Sequence, residues 1–258
     1  MREAGYTPSH QSVKLLKFAD DTTLIGLISD GDESAYRGDM DHLVTWCDQN
    51  NLELNALKTV EMRNPAPPTT ITLRDAPVIT ADSFRFLGTI ISQDLKWELN
   101  ISSITKRGQQ RMFFLRQLKK FNLPKSLMVH FYTCIIESIL TSSITIWFAA
   151  ATANDKRRLQ RIIRSAEKVI GCNLPSIQDL FASRSLRRAG KIVADPSHPG
   201  HELFEVLPSG RRLCSIRTRT SRHKTSFFPA AVGLINKARD PHLTQTFIPP
   251  PHLKDVLN

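Results

Sequence analysis

The chain carries two adjacent carboxylates, Asp20 and Asp21, in the run Lys17-Phe18-Ala19-Asp20-Asp21-Thr22-Thr23-Leu24. Apolar stretches flank them, Val13 to Phe18 and Leu24 to Ile28. Each is of strand length, so the pair is placed at the tip of a β-hairpin. Neighbouring carboxylates repel, and a fold tolerates them best with a cation between them. Hard divalent cations prefer oxygen ligands, and two such ions drive in-line phosphoryl transfer. A bare Asp-Asp pair is more often a solvated turn, so the chemistry rests on the surroundings.

A second set of side chains could hold phosphate. Over Asp155 to Ile170, Leu159, Ile162, Ile163, Ala166, Val169 and Ile170 make one apolar stripe at helical spacing. Lys156, Arg157, Arg158, Arg161, Arg164 and Lys168 fill most of the rest. Such a helix is either a solvated amphipathic element or a phosphate contact, because the forked donors of arginine suit phosphate oxygens. A further cluster holds Arg211, Arg212, Arg217, Arg219, Arg222, His223 and Lys224, interleaved with Ser and Thr and closed by Phe227-Phe228. That mixture suits single strands or structured RNA, although the Phe pair reads as core rather than as a stacking platform.

Charge points the same way. The net charge is +11, and residues 1–153 balance with 16 Lys and Arg against 16 Asp and Glu, whereas residues 154–258 carry 19 against 8. A basic half is an electrostatic footprint for nucleic acid, or else a solvated basic face. Cys47, Cys134, Cys172 and Cys214 form no CxxC pair, which fits a reducing compartment and supports no redox motif. His198 and His201 with Cys172 and Cys214 could in principle hold zinc, but Pro196 to Gly200 reads better as a turn.

The elements that must position these groups give an α+β chain. A helix begins at Ser34, with Tyr36, Met40, Leu43, Val44 and Cys47 on one face and Asp39, Asp41 and Asp48 opposite. Short strands are expected near Leu52 to Leu54, Thr70 to Leu73 and Phe84 to Ile91, with a loop at Asn64 to Pro68. Helices continue the chain over about Asn100–Phe121, Pro124–Trp147, Asp155–Ile170 and Ser176–Ala189, with Pro124 well placed at a helix start. Beyond Arg239 the prolines suggest a loose end. Met1 to Ser12 is polar, so no signal peptide is expected, and the chain reads as intracellular, in nucleus or cytoplasm. The apolar stretch Tyr132 to Ala153 is interrupted by Glu137 and several hydroxyls, and reads as a buried helix rather than a membrane span.

Phe18-Ala19-Asp20-Asp21-Thr22 before an apolar strand resembles the palm motif of reverse transcriptases in its non-LTR (LINE-type) form. Several later runs continue the likeness in order. They are Leu43 to Cys47, Asn50 to Asn55, Lys58-Thr59, Ser83 to Gly88, Ile91 to Trp97, Gln109 to Leu118, Asp195 to His201 and Leu207 to Arg212. The resemblance implies that Asp20 and Asp21 are catalytic metal ligands for Mg²⁺ or Mn²⁺ and that Lys58 sits near the incoming triphosphate. It makes Phe86, Leu87 and Gly88 a primer grip, and it names RNA and single-stranded DNA as partners. It divides the chain into a partial palm with the primer-grip hairpin (1–97), a helical thumb-like region (98–153) and a basic, mostly helical C-terminal region (154–258).

The chain departs from the family pattern in two places. The family needs a further metal-binding aspartate on an earlier strand and a nucleotide-positioning loop, and only Met1 to Ser12 precede the hairpin. After Lys58-Thr59 the chain passes from Glu61-Met62-Arg63 straight to Asn64-Pro65, which leaves a palm strand in doubt. The expectation is a truncated or degenerate RNA-directed DNA polymerase fragment, inactive alone and holding no metal tightly. The alternative is a non-catalytic nucleic-acid-binding protein. Residues 107–147 also resemble the N-terminal region of AlkB homologue 8 enzymes. These 258 residues lack the His-x-Asp iron motif of the dioxygenases and the Gly-rich cofactor loop of the methyltransferases.

Overall fold

A computed structural model describes residues 6–63, 71–73 and 76–239. It is α+β, with helices dominating and four separate two-stranded sheets. Two compact units divide the chain, residues 1–82 and 83–258. Their charges differ in sign. Residues 1–82 carry 7 Lys and Arg against 13 Asp and Glu, net −6, and residues 83–258 carry 28 against 11, net +17.

The first unit opens with the expected hairpin, but its second strand starts at Asp21 rather than Leu24 and ends at Gly26, so the turn is tighter than expected. Strand β1 (Val13–Phe18) pairs antiparallel with β2 (Asp21–Gly26), Phe18 opposite Asp21. Ala19 and Asp20 make the two-residue turn, with Ala19 in the left-handed region at φ 52°. Helix α1 (Ser34–Gln49) packs against this hairpin, and Gly26 is why it comes so close: a Cβ there would lie 2.7 Å from the Tyr36 ring. Tyr36, Met40 and Val44 also cover Ile71, Leu73 and Val78. The latter lie among four two-residue strands: β3 (Val60–Glu61) is parallel to β6 (Ile79–Thr80), and β4 (Thr72–Leu73) is antiparallel to β5 (Ala76–Pro77).

Two expectations fail in this unit. Leu52 to Leu54 is irregular, because Asn51 at φ 55° turns the chain out of α1 and leaves Leu52 exposed. Asp39 does not face solvent. It is buried and accepts the Ser9 N–H at 2.6 Å and the His10 N–H at 3.2 Å, while the Tyr6 hydroxyl donates to its Oδ1 at 3.2 Å and its main-chain oxygen at 2.7 Å. The expected loop at Asn64–Pro68 and the end beyond Arg239 lie outside the described residues.

The second unit starts with the hairpin β7 (Ser83–Phe86) and β8 (Thr89–Ser92), which rests on helix α2 (Glu98–Lys120). The buried Asn100 accepts the Ile90 N–H at 3.1 Å. Helix α3 (Lys125–Phe131), starting after Pro124, continues through a π-helical turn (Tyr132–Glu137) into α4 (Ser138–Leu140). Ser143, at φ 50°, breaks the path before α5 (Ile144–Trp147), which bends it by 41°. Among the described residues no single helix is long and apolar enough to cross a membrane, although this bent pair would suffice by length and composition. Tyr132, Leu140, Ile144 and Trp147 are fully buried in the protein core.

Helix α6 (Ala153–Ile170) begins at Thr152, whose hydroxyl accepts the Asp155 N–H, and stops at Gly171 in the left-handed region. Helix α7 (Ile177–Val193) starts with a reciprocal box between Ser176 and Asp179. Leu159, Ile162 and Ile163 of α6 share one core with Ile101 and Leu115 of α2, with Tyr132 and Trp147, and with Phe181 of α7. Gly108 lets α2 fit against this core, since a Cβ there would lie 2.9 Å from Leu140 and 3.3 Å from Ile162. A second core joins Leu186 and Ala189 to Phe204, Leu213 and helix α9 (Phe227–Ala238), preceded by the short α8 (Ser221–Lys224).

Candidate nucleic-acid interface

Asp20 and Asp21 stand exposed at the hairpin tip, with no ion pair or side-chain hydrogen bond among the described residues. Lys58 is exposed in a turn, its N–H bonded to the Asn55 carbonyl and side chain at 3.1 Å, and joins neither aspartate through a hydrogen bond or ion pair. No group of three or more His, Cys, Asp or Glu side chains that could hold a metal forms among the described residues. Two exposed neighbouring carboxylates without a third carboxylate beside them among the described residues do not fit a held pair of divalent ions. The zinc set also fails to assemble. The His198 ring nitrogen accepts the Gly200 N–H at 3.0 Å, and a His201 ring nitrogen lies 3.3 Å from the Ile192 carbonyl.

Phe86, Leu87 and Gly88 form the tip of the β7–β8 hairpin. Leu87 at φ 46° and Gly88 at φ 83° make a tight two-residue turn, with Leu87 exposed. Just beyond, Asp94 is held down at about 2 by the Ser92 hydroxyl at 2.6 Å and the Lys96 N–H at 3.0 Å. Arg222 donates to the Asp94 carbonyl at 2.9 Å, so one predicted phosphate-binding arginine is partly spent on holding this turn.

Helix α6 sorts its basic residues by role. The apolar stripe is buried as expected, apart from the half-buried Val169. Arg157, Arg161, Arg164 and Lys168 recur at i, i+4, i+7 and i+11 and are all exposed. Arg161, Arg164 and Lys168 have no side-chain partner among the described residues, and Arg157 reaches only the Ala153 carbonyl at 3.3 Å. Arg158 turns back to Asp155 at 3.2 Å and belongs to the cap. Lys156 lies 5.0 Å from the Phe148 ring centroid, and burial pushes its ammonium down from the usual lysine range.

The second cluster lies on the segment between Phe204 and α8. Arg211, Arg217 and Arg219 are exposed, and Arg212 is exposed while also engaged within the fold. This segment is held by Asn236, whose side chain accepts the Leu213 N–H at 2.8 Å and donates to the Leu213 carbonyl at 3.1 Å. Phe227 and Phe228 pack on Phe204 and the second core, so they serve as core.

Two groups escaped the sequence reading. On α2 and at its C-terminal end, Phe113, Phe114 and Phe121 are exposed, Phe121 by 73%, beside exposed Arg111, Arg116, Lys119 and Lys120. Arg111 sits 5.8 Å from the Phe114 ring centroid. On α7, Arg184, Arg187, Arg188 and Lys191 share one face. Their spacing of i, i+3, i+4 and i+7 was the available signal.

Comparison with known proteins gives one partial likeness. Residues 97–138, which span α2 to the π-helical turn, match the sequence model of the family described as alkylated DNA repair protein alkB homolog 8, N-terminal. The resemblance expected over 107–147 is therefore found slightly earlier, on a segment of the chain. No curated protein matches, and no solved structure matches.

Proposed function

We propose that the chain is a C-terminal portion of a LINE-type RNA-directed DNA polymerase, and that by itself it binds RNA or single-stranded DNA without copying it. The observation that carries the binding reading is the segregation of charge: the helical unit holds a net +17 and presents the α6 ridge of Arg157, Arg161, Arg164 and Lys168 to solvent. The lineage reading is supported by the Asp20-Asp21 pair at the tip of an antiparallel hairpin, Asp20 in the turn and Asp21 opening β2, with α1 next in the chain. It is also supported by the outer face of that hairpin. Leu16, Phe18 and Ile25 alternate onto one side and are exposed by 47, 60 and 44%, as suits a hairpin taken from a larger sheet.

The absence of copying is argued from the metal chemistry. Charge developing on a transferred phosphoryl group needs cations held in place before reaction, and two exposed neighbouring carboxylates are too small a ligand set to hold two of them. A second reading is favoured by the match at residues 97–138, that of a segment from an alkB homolog 8-like protein. It shares the α2 surface with the first reading and offers no iron or methyl-donor site within these residues. A salt titration of RNA binding, run beside a primer-extension assay with Mg²⁺ and Mn²⁺, tests the proposal. Salt-insensitive binding or robust extension would refute it.

A further inference from the structure

The α7 face carries more cation than its surroundings neutralise. Arg184, Arg187, Arg188 and Lys191 line a cleft of about 280 Å³ whose opposite wall is the segment around Ser143 and Thr145. The cleft is open to solvent on one side and has room for a phosphate group. No acidic side chain lines it. Glu137 lies behind it and pairs with Arg184 at 3.3 Å, and the carboxylate of α7 itself, Asp179, is engaged in the helix start. Like charges at i, i+3 and i+4 weaken a helix, and an anion seated among these four would offset that repulsion.

The four side chains are not equivalent. Arg184 is fixed by Glu137 and by the Thr141 carbonyl at 3.5 Å. Arg188 is fixed by the Thr145 hydroxyl at 3.2 Å and by the Phe227 ring, whose centroid is 4.7 Å away. Arg187 and Lys191 are exposed and have no side-chain partner among the described residues. Ser143, held in the left-handed region and hydrogen-bonded from the Thr89 hydroxyl at 2.9 Å, brings its own hydroxyl to the cleft wall. Two preset guanidiniums, two free cations and nearby hydroxyls are the donor set that phosphate oxygens use.

We propose that this cleft seats a backbone phosphate of a bound RNA or single-stranded DNA strand. The assignment deepens the nucleic-acid reading and rests on it for the identity of the ligand. The test uses the full chain and the double variant Arg187→Gln/Lys191→Gln, which leaves the structural contacts of Arg184 and Arg188 untouched. Inorganic pyrophosphate binding is measured by calorimetry, and binding of a short oligouridylate is measured across a salt series. The variant is expected to bind pyrophosphate about tenfold more weakly and to lower the log–log salt slope for RNA by roughly 1.4, two contacts at about 0.7 each. Tight RNA binding with an unchanged slope in the variant would overturn the seat and leave the nucleic-acid reading standing. Pyrophosphate binding lost in the variant, with no RNA binding by the parent chain, would overturn the ligand named here together with that reading. No binding of either probe would overturn both.

Discussion

Replacing Arg157, Arg161 and Arg164 of α6 together with Gln removes three charges from one exposed ridge while keeping helix propensity. With Lys168, the ridge extends over eleven residue steps, about 16 Å at 1.5 Å per step. An extended strand places successive phosphates within that length, so each of the three arginines can meet one. Each lost contact lowers the log–log salt slope by about 0.7 for a single strand, or roughly 2 in all. Between 50 and 200 mM salt, a fourfold change, the parent chain should therefore lose about twentyfold more affinity than the triple variant. Fluorescence anisotropy with one labelled oligonucleotide over a salt series reads this directly. The apolar stripe of α6 is untouched, so the thermal midpoint should move little. Parallel plots for parent and variant would refute the ridge as a phosphate contact and leave it as solvated surface.

Purified chain should extend no primer on an RNA template, and Asp20→Ala/Asp21→Ala should leave RNA affinity unchanged; extension that the double variant abolishes would show that a complete site exists. Gly108→Val should destabilise the helical unit by about 1–3 kcal/mol in urea unfolding, because its side chain meets Leu140 and Ile162 at contact distances that leave no room. The contacts of Asp39 should make the first unit sensitive to acid. The Ser9 and His10 N–H groups and the Tyr6 hydroxyl hold its carboxyl below the usual range against the opposing effect of burial. That contribution is present above the ordinary carboxylate pKa and fades as pH falls through the lowered one. Tyr6, pushed up to about 12 by burial and by Asp39, loses its contribution as pH rises from 10 toward 12. Denaturation of Asp39→Asn across pH should lack the acid limb, and an unchanged acid limb would refute the assignment.

Much of the fold was legible where periodicity and punctuation agreed. The apolar runs on either side of Asp20-Asp21 located the hairpin, though not its register, since β2 starts at Asp21 rather than Leu24; Pro124, Thr152, Ser176 and Gly171 mark helix ends by known capping chemistry. The rest depends on tertiary contacts that leave weak local traces. The pairing of β3 with β6 joins segments far apart in the chain, and two-residue strands such as these leave too short a pattern to be read locally. Ser143 in the left-handed region is unusual for serine, so the break between α4 and α5 had no turn signal. Asp39 looked solvated by helical periodicity, and only the fold of residues 6–10 over α1 buries it. At the candidate site, the α6 face was readable from spacing alone, whereas the α7 cleft needs the segment Thr141–Thr145 as its second wall.

The apparent neutrality of residues 1–153 illustrates how a sequence sum can hide a surface. It cancels −6 over residues 1–82 against +6 over residues 83–153, where 9 Lys and Arg face 3 Asp and Glu. The cancelled part includes the exposed α2 face with Phe113, Phe114 and Phe121. A cut at residue 153 would also divide the core that Leu159 and Ile163 share with Leu115, Tyr132 and Trp147. Exposing several such side chains costs about 1.5–3 kcal/mol each, comparable in sum to the whole stability of a domain. Residues 83–258 should therefore fold and keep the binding of the full chain, whereas residues 154–258 should show little cooperative unfolding and weaker, less salt-dependent binding. Circular dichroism melts and the same oligonucleotide titration compare the two fragments. Equal affinity and equal cooperativity would mean that α2 contributes neither packing nor contacts, and that the basic surface ends at α6.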